Sequence, residues 1–239
     1  MKGTLDVSPD AEALTQRVAR WMTDLACAKD GAFTVALSGG STPQTLYQTL
    51  ARPPFLTSFP WDRAHWFWGD ERFVPHSDAM SNYRMASEAM LSHAPVPLSQ
   101  IHSMPTVGLT AEAAALQYEQ ELRAYYGAMS LLPSRPLFDL VLLGIGEDGH
   151  TASLVPGSPA LKEREHWTAV TSMAGQTRVT LTYPALESCA HAAFLVTGAS
   201  KRDILHRVRS GDGDLPAARI QPQGELRFFT DAAAAGCAA

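Results

Sequence analysis

Unbroken apolar runs alternate along this chain with stretches whose apolar positions recur at helical spacing. Residues 32–37, 66–68, 140–143 and 191–196 are almost wholly apolar, as strands covered on both faces must be. Residues 167–171 and 226–229 read as further strands, and residues 176–182 alternate like a strand before turning helical near Pro184. Leu14, Val18, Trp21 or Met22, and Leu25 fall on one helical face. Ser8-Pro9-Asp10 predicts the start of that helix, with Ser8 as the cap and Pro9 in the first position, and Gly31 predicts its end. Residues 44–50, preceded by Thr42 as a cap and by Pro43, form a second helix. Residues 81–91, residues 110–126 and a segment running through Val208 are helical too. Ile101-His102 is a short extended piece within the loop at 95–105, and the Ala-rich tail reads as a frayed helix end.

This alternation of strand and helix predicts an α/β protein: a doubly wound, mostly parallel sheet with helices on both faces. No internal repeat and no low-complexity linker divides the chain, so residues 1–239 are expected to form a single domain.

Composition narrows the function more than the fold. A net charge of -5 argues against a general nucleic-acid binder, and an anionic ligand would need local positive charge supplied by its site. Three cysteines without motif spacing fit reduced thiols. The first ten residues carry no apolar leader and no run approaches membrane-spanning length, which together predict a soluble cytoplasmic protein with no membrane partner. A monomer or homodimer is expected.

The candidate chemistry sits where predicted strands end. After the run at 140–143 comes Gly144-Ile-Gly146-Glu-Asp148-Gly149-His150. Glycines there permit sharp turns or close approach, and strand C-termini are where open α/β sheets bind ligands. His150 is a candidate general base, since an unperturbed imidazole titrates near pH ~6.5. The G-x-G-x-x-G spacing also fits a dinucleotide site, but that pattern should open a helix and Pro156-Gly157 interrupts the chain too soon. Asp148-x-His150 resembles half a metal site, yet no H-x-H, H-x-x-x-H or C-x-x-C completes it, so neither a metal nor a cofactor is expected.

Ser38-Gly39-Gly40-Ser41-Thr42 lies between a strand and a helix start. Backbone amides and the helix dipole would make it a phosphate cradle; the missing Gly-Lys-Ser/Thr sets aside a nucleoside triphosphate. Thr197-Gly-Ala-Ser-Lys201 repeats the scheme with a lysine where the dipole disfavours one, which points to an anion nearby. Gly69-Asp70-Glu71-Arg72 stands at another strand end. Arg72 is read as facing an anion or an oxyanion, oriented by Asp70 or Glu71. Arg178 points either to solvent or to a ligand, and Asn82 and Arg84 are weaker candidates.

Six segments together resemble the 6-phosphogluconolactonase family: Leu37 to Pro43, Trp68 to Pro75, Ser81-Asn-Tyr83, Gly144 to Pro156, Arg178 to Thr182, and Thr197 to Lys201. The resemblance implies the glucosamine-6-phosphate deaminase/ribose-5-phosphate isomerase type of Rossmann-like fold. It also implies cofactor-free hydrolysis of 6-phospho-D-glucono-1,5-lactone, with His150 as base. Ser38 to Thr42, Arg178 and Lys201 would belong to the phosphate, and Asp70 and Arg72 to the lactone side. Asp148 would orient the imidazole; Arg72 or a glycine-loop amide would hold the oxyanion. The competing activity on the same fold is an aminosugar-phosphate deaminase or aldose-phosphate isomerase. The deaminases carry a Glu before the Pro of the histidine loop and an aromatic residue after the Asp-Glu pair; here those positions are Val155 and Arg72.

Overall fold

The computed structural model describes residues 3–237. Met1, Lys2 and the last two alanines of the predicted frayed tail lie outside the described residues. The chain runs through β1 (Thr4–Ser8), α1 (Ala11–Ala28), β2 (Phe33–Leu37), α2 (Ser41–Leu50), α3 (Phe55–Ser58), β3 (Ala64–Trp68) and β4 (Asp70–Arg72). It continues through α4 (Asn82–Ala86), which passes into a π-helical turn, β5 (Ile101–His102), α5 (Ala111–Tyr126), β6 (Phe138–Leu143), β7 (Thr168–Met173) and β8 (Gln176–Leu181). Last come α6 (Tyr183–Glu187), β9 (Cys189–Val196), α7 (Arg202–Ser210), β10 (Glu225–Asp231) and α8 (Ala232–Ala235).

Seven strands form one parallel sheet in the order β1-β10-β9-β6-β2-β3-β5. The chain winds outward from β2 through β3 to β5, then restarts at β6 and winds the other way through β9 and β10. The reversal falls between β2 and β6. Right-handed crossovers running in opposite directions from such a point leave a crevice beyond the strand ends. All of β2 and β6 is buried, as their unbroken apolar sequences require. Trp66, Phe67 and Trp68 are core residues on β3.

The second, smaller sheet is antiparallel, β4-β8-β7. It hangs from the end of β3 through Gly69, whose carbonyl accepts from Leu181 N at 2.8 Å. The sequence pattern gives β7 and β8 but neither β4, which it places at a strand end, nor the separation of this sheet from the main one.

Two helix starts differ from expectation. Ser8 is not a cap: it ends β1, an edge strand paired to β10, and Asp10 caps α1 by accepting from Ala13 N at 2.8 Å. Pro9 therefore falls in the link between strand and helix. Thr42 does not cap α2 either, because the helix begins two residues earlier than expected, at Ser41, with Gly40 at the cap and no capping side chain. The tail is a single capped turn, with Asp231 accepting from Ala234 N at 2.7 Å and Ala234 buried. Among the described residues no helix is long and apolar enough to cross a membrane.

Candidate active site

A cleft of about 320 Å³ opens at the crevice between β2 and β6. Four loops, each following a strand of the main sheet, converge on it: those after β2, β3, β6 and β9. Ser38 to Thr42, Asp70, Arg72, His150, Arg178 and Lys201 all line it.

The turn after β2 has the geometry of an anion site. Among the described residues the amides of Gly39, Gly40, Ser41 and Thr42 have no protein partner, and they stand at the N-terminus of the ten-residue α2. Buried Tyr47 secures the start of the turn: its hydroxyl accepts from Ser38 N at 2.9 Å and donates to Ser38 O at 2.8 Å. Burial pushes that phenol's pKa well up, so it remains a donor. Gly39 is needed for packing, since a Cβ there would lie 2.2 Å from Asn82 Oδ1. Thr42 Oγ1 meets Thr197 Oγ1 at 2.7 Å and so joins this turn to the one carrying Lys201. The Gly198 amide of that second turn donates to Asp231, at 2.9 Å to the nearer oxygen.

On the opposite wall, β4 and β8 set Arg72 and Arg178 directly opposite each other. Like charges so placed repel unless something neutralises them. Arg178 is nine-tenths buried, and its Nη1 lies 3.3 Å from Asp70 Oδ2. Burial lowers its pKa, Asp70 opposes that and Arg72 adds to it. Among the described residues, Arg178 Nε is buried without a hydrogen-bond partner. Arg178 lines the cleft.

The orientation of Arg72 differs from expectation. Neither Asp70 nor Glu71 holds its guanidinium; Nη1 donates to Met80 O at 2.6 Å and to Asn82 Oδ1 at 2.9 Å. Glu71 is buried with its four acceptor sites filled by Arg72 N, Asn82 N, Tyr83 N and Ser81 Oγ. Burial raises its pKa, against those four bonds. Glu71 thus fixes the turn that carries Asn82. Asn82 reaches the cleft and donates through Nδ2 to Asp70 O at 2.8 Å, whereas Arg84 pairs with Glu88 at 2.7 Å and does not line it.

After β6 the chain turns back so that Gly146 N donates to His150 O at 2.9 Å. No helix opens there, as a dinucleotide fingerprint would need; turns lead instead to a bridge between Thr151 and Leu154. His150 Nδ1 is 2.6 Å from Asp148 Oδ1, and the same oxygen accepts from His150 N at 3.1 Å. The carboxylate fixes Nδ1–H, which leaves Nε2 as the basic nitrogen. Asp148 is half exposed; its partial burial raises its pKa, but the bonds from His150 outweigh that and the net shift is downward. The close approach at Gly146 is to this pair: a Cβ there would lie 2.0 Å from His150 Nδ1 and 2.7 Å from Asp148 Oδ1. Among the described residues no group of three His, Cys, Asp or Glu is arranged to hold a metal ion.

The sequence reading assigned no role to Tyr47, which looks like any core aromatic, or to Ser153, buried within the histidine loop with Oγ 2.5 Å from Asp70 Oδ2. No local pattern marks either one.

Residues 9–228 match the family described as glucosamine-6-phosphate isomerases/6-phosphogluconolactonase. The 6-phosphogluconolactonase of Nostoc sp. is 41% identical over 98% of both chains. That of Synechocystis sp. is 43% identical over 86% of this chain and 85% of its own. The solved structure of 6-phosphogluconolactonase from Trypanosoma brucei superposes with a TM-score of 0.86 at 28% identity, covering 98% of each chain.

Proposed function

The chain belongs to the glucosamine-6-phosphate isomerase/6-phosphogluconolactonase family, and we propose that it hydrolyses 6-phospho-D-glucono-1,5-lactone to 6-phosphogluconate by histidine-assisted attack of water. That reaction is the second step of the oxidative pentose phosphate pathway. The observation that carries the mechanism is His150, paired with Asp148 at 2.6 Å, lining the same cleft as the open amides of the β2 turn, Arg178 and Lys201.

The phosphate dianion sits on the amides of Gly39 to Thr42, with the hydroxyls of Ser38, Ser41 and Thr42 beside them. Three cations, Arg72, Arg178 and Lys201, face it against the single lining carboxylate, Asp70. The cleft is therefore a cationic pocket in a protein of net charge -5. The buried, unmatched Nε of Arg178 supports this grip, because a buried donor costs free energy until something accepts from it. Arg72, opposed to Arg178 across two strands, works beside it, with its remaining N–H groups toward the substrate.

His150 Nε2 takes a proton from water as that water attacks C1. The carbonyl oxygen becomes an oxyanion held by a cleft donor, either Arg72 or an amide of the Gly144 to Gly146 turn. As the tetrahedral centre collapses, the C1–ring-oxygen bond breaks and the imidazolium returns its proton to the departing oxygen. Water supplies the nucleophile, so no serine or cysteine is acylated. Asp70 is already engaged by Ser153 and Arg178, and no glutamate lines the cleft among the described residues. The ring-opening acid-base system of a deaminase lacks its second carboxylate here.

The chain works as one domain, read from a single β2/β6 crevice that collects residues from position 38 to position 201. Free thiols at Cys27, Cys189 and Cys237 fit a reducing compartment, which we take to be the cytoplasm. The test is proton release from freshly generated lactone with and without the protein, after subtraction of spontaneous hydrolysis. A rate equal to the spontaneous one, in folded protein, rejects the activity.

A further inference from the structure

We propose that Ser153 is a positioning residue that ties the histidine loop to Asp70 on the arginine wall of the cleft, so that Arg178 keeps a fixed acceptor within the anion grip. The inference rests on the reading of Arg178 as part of that grip. Ser153 is fully buried, and its Oγ donates to Asp70 Oδ2 at 2.5 Å. The same carboxylate oxygen accepts from Arg178 Nη1 at 3.3 Å. The contacts are sequential: the histidine loop holds Asp70, and Asp70 holds Arg178.

Three observations set this chain of contacts apart from ordinary core satisfaction. Its members come from elements far apart in sequence, the loop after β6, strand β4 and strand β8, so no local turn requires the bond. The backbone amide of Ser153 is itself fixed, donating to Thr180 Oγ1 on β8 at 3.2 Å, so both ends of the residue are tied to the small sheet. The preceding residue, Ala152, lies in the cleft wall with φ of 48°. A left-handed alanine costs roughly 1–2 kcal/mol. Such a conformation persists where its surroundings over-determine it, and here it turns Ser153 inward, three residues after His150. Without the hydroxyl, Asp70 is free to rotate toward solvent or toward substrate, and Arg178 loses its fixed acceptor.

The experiment compares wild type, Ser153→Ala, Asp70→Ala, the double variant and Arg178→Ala. It measures calorimetric affinity for 6-phosphogluconate, kcat and KM on the lactone, and folding by circular dichroism. Ser153→Ala should weaken 6-phosphogluconate about tenfold, as losing one bond to a charged group allows. It should raise KM to match and leave kcat within about twofold, because a grip acting equally on ground and transition states changes KM alone. In the Asp70→Ala background it should add nothing, since its effect passes through that carboxylate. A merely structural serine would lower the melting temperature and leave affinity untouched in the folded protein. Wild-type affinity in Ser153→Ala, or an equal loss with and without Asp70, overturns the proposal. Should Ser153→Ala not fold, Ser153→Cys, a small residue with a weak donor, takes its place, with a smaller loss expected and the same two results against it. Arg178→Ala separates the premises: full affinity there rejects the grip itself, whereas lost affinity there with none lost in Ser153→Ala rejects only the role of Ser153.

Discussion

Asp148 and His150 form a hydrogen-bonded pair of 2.6 Å that lies directly against the backbone of Gly146. The carboxylate is half exposed while the imidazole is three-quarters covered. Water therefore screens the pair, and an exposed ion pair contributes only about 1 kcal/mol or less. Asp148→Asn should accordingly cost about tenfold or less in kcat, through a less certain tautomer and a weaker hold on the imidazolium. His150→Ala removes the base itself and should cost about 10²–10⁴-fold. Steady-state kcat for both variants checks the ranking, and equal losses would mean that Asp148 does more than orient.

Gly146→Ala tests the same pair from beneath. The new Cβ would stand 2.0 Å from His150 Nδ1, so the imidazole must leave its place. The ring is on the cleft wall and can swing without disturbing the core. We expect a kcat loss approaching that of His150→Ala with a melting temperature within a few degrees of wild type. Retained activity would show that the imidazole does not need its present seat.

Tyr47 makes a separable prediction. Its hydroxyl satisfies both backbone groups of Ser38, at the point where the β2–β3 ladder has ended. Tyr118 does the same for Trp68 at the end of β3. Tyr47→Phe leaves a buried N–H and C=O without partners, a penalty of about 2 kcal/mol. It also loosens the first residue of the anion turn. Urea denaturation should show the stability loss and lactone kinetics a raised KM with kcat nearly kept. A stability loss with unchanged KM would confine Tyr47 to folding.

These residues mark what the sequence could reveal. The anion turn, the lysine turn and the histidine loop are local motifs, each a strand end, small residues and a functional group within about ten positions, so composition and order expose them. The pairing of Asp70 with Arg178 joins residues 108 apart, and a short antiparallel strand such as β4 has too few residues to show a period. Glu71 looked like a partner for Arg72, but four donors surround its carboxylate on the far side. β1 escaped notice because an edge strand beside a helix start mixes apolar and polar positions, and Ser8 has the chemistry of a cap without the place of one.

The last prediction concerns acid stability away from the cleft. His65 on β3 faces His102 on β5, with Nδ1 and Nε2 3.0 Å apart, and His102 Nδ1 reaches Glu121 at 2.8 Å. Tyr125 packs against both rings and Phe67 stacks on His102. Burial lowers the pKa of His65, and His102 lowers it further. A histidine whose folded pKa lies below its unfolded value of about 6.5 binds fewer protons folded than unfolded. Stability then rises with pH across that interval and falls as pH drops below about 6.5, levelling off once the folded group also protonates. His191 is shifted the same way by burial, whereas Glu71 and Glu187 are raised and oppose it at lower pH. The wild-type curve is thus a sum, and the contribution of His65 appears only in a difference. His65→Phe keeps an aromatic ring beside Tyr125 and removes the titration. The wild type's stability advantage over the variant should shrink steadily between about pH 6.5 and pH 5, measured as melting temperature in matched buffers. A constant difference would mean that His65 protonates alike in both states.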